Sequence, residues 1–197
     1  MTTTSGTTTS GTTTSGTTTS GTTTSGTTTS ATTTGSTDER ADLLESLARH
    51  RWFLTFTVRD LSDEQARLRP TVSALSLGGL VKHVAAIEDL WARFLVDGPA
   101  AMGAGGDEWA DGFTMAPRET LDGLLAEYAA VAARTDELVR TLPDLGASQA
   151  LPPAPWFEPG ARWSARRVLL HVLAETSQHA GHADVLRESI DGARTMG

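Results

Sequence analysis

The last long apolar-periodic segment, from Ser164 to about Asp191, restricts the fold more than any other stretch, because it puts ligand-type side chains on the face that has to be buried. At about 100° per residue, Glu175, His179 and His182 fall within roughly 60° of one another on a helix. His171 precedes Glu175 by one turn, and Leu186 continues the stripe. Val168, Leu169, Val172 and Leu173 make the same segment amphipathic, so it is expected to pack against other helices. One carboxylate and several imidazoles therefore point toward a core. Buried polar groups need partners, and other segments have to supply them.

Three further segments carry helical spacing. Asp38 to about Val58 places Leu43, Leu44, Leu47, Phe53 or Leu54, and Val58 roughly at that period, with Thr37 or Asp38 as N-cap. Leu61-Ser62-Asp63-Glu64 suits a short capped turn within a connector that ends at Arg69-Pro70. Ser76 is expected to cap a second long helix through Leu80, His83, Val84, Ile87, Leu90, Trp91 and Phe94, stopped by Asp97-Gly98-Pro99. Pro117 suits the first position of a third, running through Leu121, Leu124, Tyr128, Val131, Leu138 and Val139 to about Thr141. Residues 100–116 read as a Gly- and Ala-rich loop anchored by Trp109 and Phe113, and residues 142–162 as a long Pro-rich loop around Trp156 and Phe157. No series of strands is visible. The expected fold class is all-α, a single four-helix bundle with long loops over residues 38–197.

Residues 1–37 stand apart. Thr2 to Ala31 is six copies of a five-residue unit, Thr-Thr-Thr-Ser-Gly, the last ending in Ala31, and the Thr-rich run continues to Thr37. With no charge and almost nothing apolar, this segment cannot offset its ordering entropy and is expected to be a disordered tail. It lacks the basic and apolar regions of a secretory signal, and no later run is apolar enough to span a bilayer. The cytoplasm is the expected location. Zero cysteines fit that compartment and exclude disulfides, thiolate ligands and a cysteine nucleophile. Any thiol chemistry has to import its thiol. A formal charge of -8 argues against nucleic acid or anionic membrane as a partner and leaves a small-molecule substrate or a protein, a homodimer included.

An i, i+4 pair of ligands converges over one helical turn, and a site built on it needs a further ligand from elsewhere. Glu175 and His179 form such a pair, and His83, on the apolar stripe of the second long helix, can supply the third. Two histidines and one carboxylate leave a coordination position open, as in catalytic zinc sites; iron and nickel suit the same set. His171 is the rival ligand on the other side of Glu175. His182 fits a place behind the ligands or facing a substrate, with Asp184 as a further orienting group. Arg162, Arg166 and Arg167 could meet a substrate carboxylate, although basic residues beside a loop are more often solvated. Trp156, Phe157 and Trp163 could wall a pocket or pin their loop to the core.

Three stretches carry a family resemblance across nearly everything after residue 37. They are Leu75-Ser76-Leu77-Gly78-Gly79-Leu80-Val81-Lys82-His83-Val84 leading to Glu88 and Trp91, then Arg162-Trp163-Ser164-Ala165-Arg166, and His171 through Glu175, His179 and His182 to Asp184, Arg187 and Gly192. The chain resembles the DinB-like superfamily of metal-binding four-helix bundles, close to the group that holds the N-terminal domain of mycothiol-dependent maleylpyruvate isomerase and the mycothiol S-transferases. The resemblance implies His83, Glu175 and His179 as ligands of a divalent metal, often zinc, and a low-molecular-weight thiol as cosubstrate. The isomerase group uses a second domain near its site that this chain is short of, which argues against isomerase activity itself. Two functions follow as expectations: a metal-dependent, mycothiol-type S-transferase acting on small electrophiles, or a non-catalytic metal-binding bundle in a stress response or an interaction.

Overall fold

The computed structural model describes residues 38–103 and 112–195. The stretch expected to be a tail lies outside them, as does Trp109. Four long helices follow the apolar periods: α1 (Glu39–Thr57), α3 (Leu77–Asp97), α4 (Leu121–Thr141) and α5 (Ala165–Asp191), with a one-turn α2 (Asp63–Arg67) in the first connector. Each begins at a side-chain cap. The Asp38 carboxylate accepts from the Arg40 amide, Ser76 Oγ from Gly79 and Ser164 Oγ from Arg167, and Ser62 with Gln65 forms a reciprocal capping box. Gly192, at a φ of 77°, ends α5 in the left-handed conformation that glycine adopts without strain.

Helix α1 packs against α5 and α4, and α3 packs against the same two, which closes a four-helix bundle. Its interior has two apolar clusters. One gathers Leu54, Leu80, Val84, Tyr128, Ala183 and Leu186; the other gathers Leu47, Trp91, Phe94, Val139, Val168 and Leu169. Near the junction of the two clusters each long helix buries a polar residue: Arg51, Glu88, Thr135 and Thr176. Arg51 donates to both oxygens of Glu88, at 3.1 and 2.5 Å, and to Asp136 at 2.7 Å, so the buried charges of this layer are paired.

Two expectations are corrected. Helix α4 starts at Leu121 rather than at Pro117. Thr120 caps it by accepting from Gly123 at 3.1 Å, and Asp63 of α2 accepts from the Leu121 amide at 2.7 Å. Residues 116–119 are instead folded back on themselves, with the Ala116 amide donating to Glu119 Oε2 at 2.6 Å. The Pro-rich loop, read as strandless, is closed at its base by a small antiparallel ribbon of β1 (Ser148–Ala150) and β2 (Arg162–Ser164). Three-residue strands are too short to show an alternation. The ribbon matters for α5, since the carbonyls of Ala147 and Leu145 accept from the Ala165 and Arg166 amides, both at 2.9 Å, and so satisfy donors that a helix start leaves open. Residues 98–102 form a 3-10 turn at the end of α3.

Candidate metal centre

His83 and His179 come from facing helices. Antiparallel packing of α3 on α5 sets the first third of α3 beside the second half of α5, and their rings meet edge to face at 4.8 Å between centroids. Glu175, one turn before His179, turns its Oε2 to within 3.6 Å of His179 Nε2. One donor atom each from His83, Glu175 and His179 lies within 4.8 Å of the others. The two histidines are buried and the glutamate is half-buried.

Burial sets the protonation of the two histidines. Removal of water pushes the His83 imidazole down to about 4, with His179 adding to the shift. Desolvation also lowers His179, against the opposing pull of Glu175. Both rings are therefore neutral at physiological pH, the state in which an imidazole offers a lone pair to a metal. His182 is exposed, and its Nδ1 lies 3.4 Å from Nδ1 of His179. In the tautomer that carries its proton on Nδ1, beside His182, His179 would offer the Nε2 lone pair on the Glu175 side.

The rival His171 stands on the far side of the carboxylate, its Nε2 3.9 Å from Glu175 Oε1. It meets the edges of Trp91 and Trp163, which stack on each other at 4.8 Å. Desolvation lowers its pKa too. Asp184, Arg162 and Trp156 are engaged elsewhere. The Asp184 carboxylate accepts from the Thr195 amide at 2.8 Å, and Arg162 donates to Oγ and to the carbonyl of Ser148 across the ribbon. Trp156 is 74% exposed and leans edge-on against Phe157. Trp163 stacks on Trp91 and carries the guanidinium of Arg167 over its ring, so this loop is pinned to the core.

One neighbour of the centre was legible only as a loop anchor. Phe113 lies flat on His83, 3.9 Å between centroids and 21° between planes, and 5.8 Å from His179. Its signals in the chain are indirect: a lone large residue in a Gly- and Ala-rich stretch, and the pair Gly78-Gly79 at the start of the helix it covers.

The described residues also contain no helix long and apolar enough to cross a membrane. No curated protein matches the chain. Its fold is similar to that of a solved structure titled a conserved protein from Enterococcus faecalis, with a TM-score of 0.58 over 80% of this chain and 99% of that one at 16% sequence identity. At that identity the likeness concerns the fold alone. The family model for mycothiol S-transferase matches residues 42–192, which takes in α3, α4 and α5 whole, α1 from its fourth residue onward, and every residue of the centre. The chain therefore belongs to the mycothiol S-transferase family, within the DinB-like bundles that its motifs resemble.

Proposed function

We propose that this protein is a divalent-metal-dependent S-transferase, joining a mycothiol-type low-molecular-weight thiol to small electrophiles. The observation that carries this reading is the convergence of His83, Glu175 and His179 within 4.8 Å from two helices, in a chain of this family that has no cysteine of its own. The donor set fits a metal. Two neutral imidazoles and one carboxylate are the donors of many catalytic zinc sites, which makes zinc the first choice, with iron and nickel as alternatives.

When bound, the metal would supply Lewis acidity that lowers the pKa of a thiol toward neutrality. The protein does the rest. Glu175 would bring one negative charge and the neutral histidines none, so these three side chains would leave the charge of a divalent ion only partly neutralised. His182, with its Nδ1 3.4 Å from Nδ1 of His179, would orient the His179 ring. The buried wall around the histidines excludes water, which strengthens each of these interactions. The transfer would break the S–H bond of the thiol, its proton passing to solvent, and form a sulfur–carbon bond from the sulfur lone pair as the leaving group departs from the electrophile with its bonding electrons. A cytoplasmic setting, expected from the sequence, provides the reduced thiol consumed.

The test is an assay of thiol consumption by metal-loaded protein across a panel of electrophiles, with mycothiol compared against other small thiols. Metal-dependent turnover that disappears in His83→Ala and His179→Ala supports the reading. Stoichiometric metal without turnover on any thiol would leave a metal-binding bundle with no catalysis. Failure to bind metal at all would remove both.

A further inference from the structure

We propose that Phe113 is a positioning residue for this centre: its ring, laid flat on His83, holds that imidazole in its coordinating orientation and keeps water off the outer side of the two histidines. The role rests on the reading of His83, Glu175 and His179 as metal ligands.

The observations begin two residues into α3. An added Cβ at Gly79 would meet the carbonyl oxygen of Phe113 at 1.8 Å and its carbonyl carbon at 2.4 Å, and one at Gly78 would meet Met115 Sδ at 2.6 Å. Both glycines have ordinary helical backbone, so the left-handed region does not explain them. What they provide is passage for a strap, residues 112–119, directly against the helix surface. The first clash is with backbone, which cannot rotate aside. Glycine inside a helix is destabilising by about 1 kcal/mol relative to alanine, and α3 carries two in its first turn, five and four residues before His83.

The strap is then clamped. Lys82, the neighbour of His83, donates to the Thr114 carbonyl at 3.4 Å and pairs with Glu119 at 2.8 Å. Arg69 reaches Thr114 Oγ1 at 3.3 Å, and Arg67 donates to the carbonyls of Ala116 and Glu119. Met115 is buried against Gly78. These attachments leave Phe113 little freedom. Its ring is fixed in a near-parallel stack on one face of His83, while His179 meets His83 edge-on. An imidazole held on its face and at its edge cannot turn about its own bond without breaking one of the contacts. Outer groups that fix a ligand ring and control solvent access typically alter metal affinity by about 10- to 100-fold.

The experiment titrates metal-free full-length protein with Co(II), followed by visible absorption, and measures zinc affinity by competition with a chromophoric chelator. Phe113→Leu keeps an apolar side chain of similar size but no flat ring, Phe113→Tyr keeps the ring, and Gly79→Ala displaces the strap while leaving Phe113 intact. Circular dichroism checks the helices of each. Phe113→Leu and Gly79→Ala are expected to bind zinc about tenfold more weakly, with weaker Co(II) bands as an extra water enters the coordination shell. Phe113→Tyr is expected to stay close to the parent in both. An unchanged affinity and spectrum in Phe113→Leu, or a Phe113→Tyr as impaired as Phe113→Leu, overturns the proposal. If the parent protein binds neither metal, the ligand reading itself falls and takes this one with it; metal bound by the parent but indifferent to Phe113 overturns this proposal only.

Discussion

Glu88 has no solvent exposure, and Arg51, its partner across the bundle, is only 7% exposed. The pair is held by two hydrogen bonds and shares Asp136 as a second anion. Removing one member leaves the other charged in the core, which is worse than having neither. Arg51→Met is expected to destabilise the fold by about 3–5 kcal/mol in denaturant unfolding, and Glu88→Leu added to it is expected to restore part of that loss. A double variant as unstable as the single one would place the damage in packing instead. His83 gives a second prediction of this scale. In the metal-free fold its pKa is about 4, against an ordinary 6.5. Between those values the unfolded chain binds a proton that the folded chain does not, so stability rises with pH through this window and is lost as pH falls from 6.5 toward 4. His179 and His171 shift in the same direction. His83→Gln is expected to make the slope shallower without abolishing it, measured by unfolding of the metal-free protein at steps across that range. An unchanged slope would assign the titration to other groups.

The four long helices were readable from apolar spacing and caps because both are local. Ser76 and Ser164 sit at helix starts where the chain said they would. The start of α4 was not, since Pro117 competes with Thr120 and the decision falls to Asp63, 58 residues away, which accepts from the Leu121 amide. The ribbon β1–β2 was hidden for a similar reason: its two strands are three residues each, and their pairing joins Ser148 to Ser164 across a Pro-rich loop. The meeting of His83, Glu175 and His179 could be anticipated, because two of them share a helix face and the third lies on an apolar stripe. Phe113 could not, because its position depends on the strap and on space left by glycine. Helix α5 supports a prediction of its own. Ser164 Oγ accepts from Arg167, and the loop carbonyls of Leu145 and Ala147 cover two of the neighbouring amides. Ser164→Ala is expected to destabilise by about 1 kcal/mol, since one donor of the helix start is exposed rather than all of them. A much larger loss would mean that the ribbon detaches with the cap.

At the scale of the whole molecule, the proposed centre would act as a cross-link. His83 belongs to α3, Glu175 and His179 to α5, and the same two helices contribute to both apolar clusters. A metal held by all three therefore binds the folded bundle and has no matching site in an unfolded chain, where the donors are far apart in sequence. Ligand binding of that kind stabilises by RT ln(1 + [L]/Kd), about 2.7 kcal/mol at a free metal concentration of 100 times Kd. For a domain of this size each kcal/mol moves the midpoint by about 2–4 °C. Zinc added to metal-free protein is thus expected to raise the melting temperature by about 5–10 °C at that excess, and a strong chelator to reverse it. His83→Ala separates the two helices' contributions: it leaves Glu175 and His179 on α5 and removes the link to α3. In that variant the rise is expected to vanish. A melting temperature that climbs with zinc equally in His83→Ala would show that the metal is held within α5 alone, with His171 or His182 in place of His83.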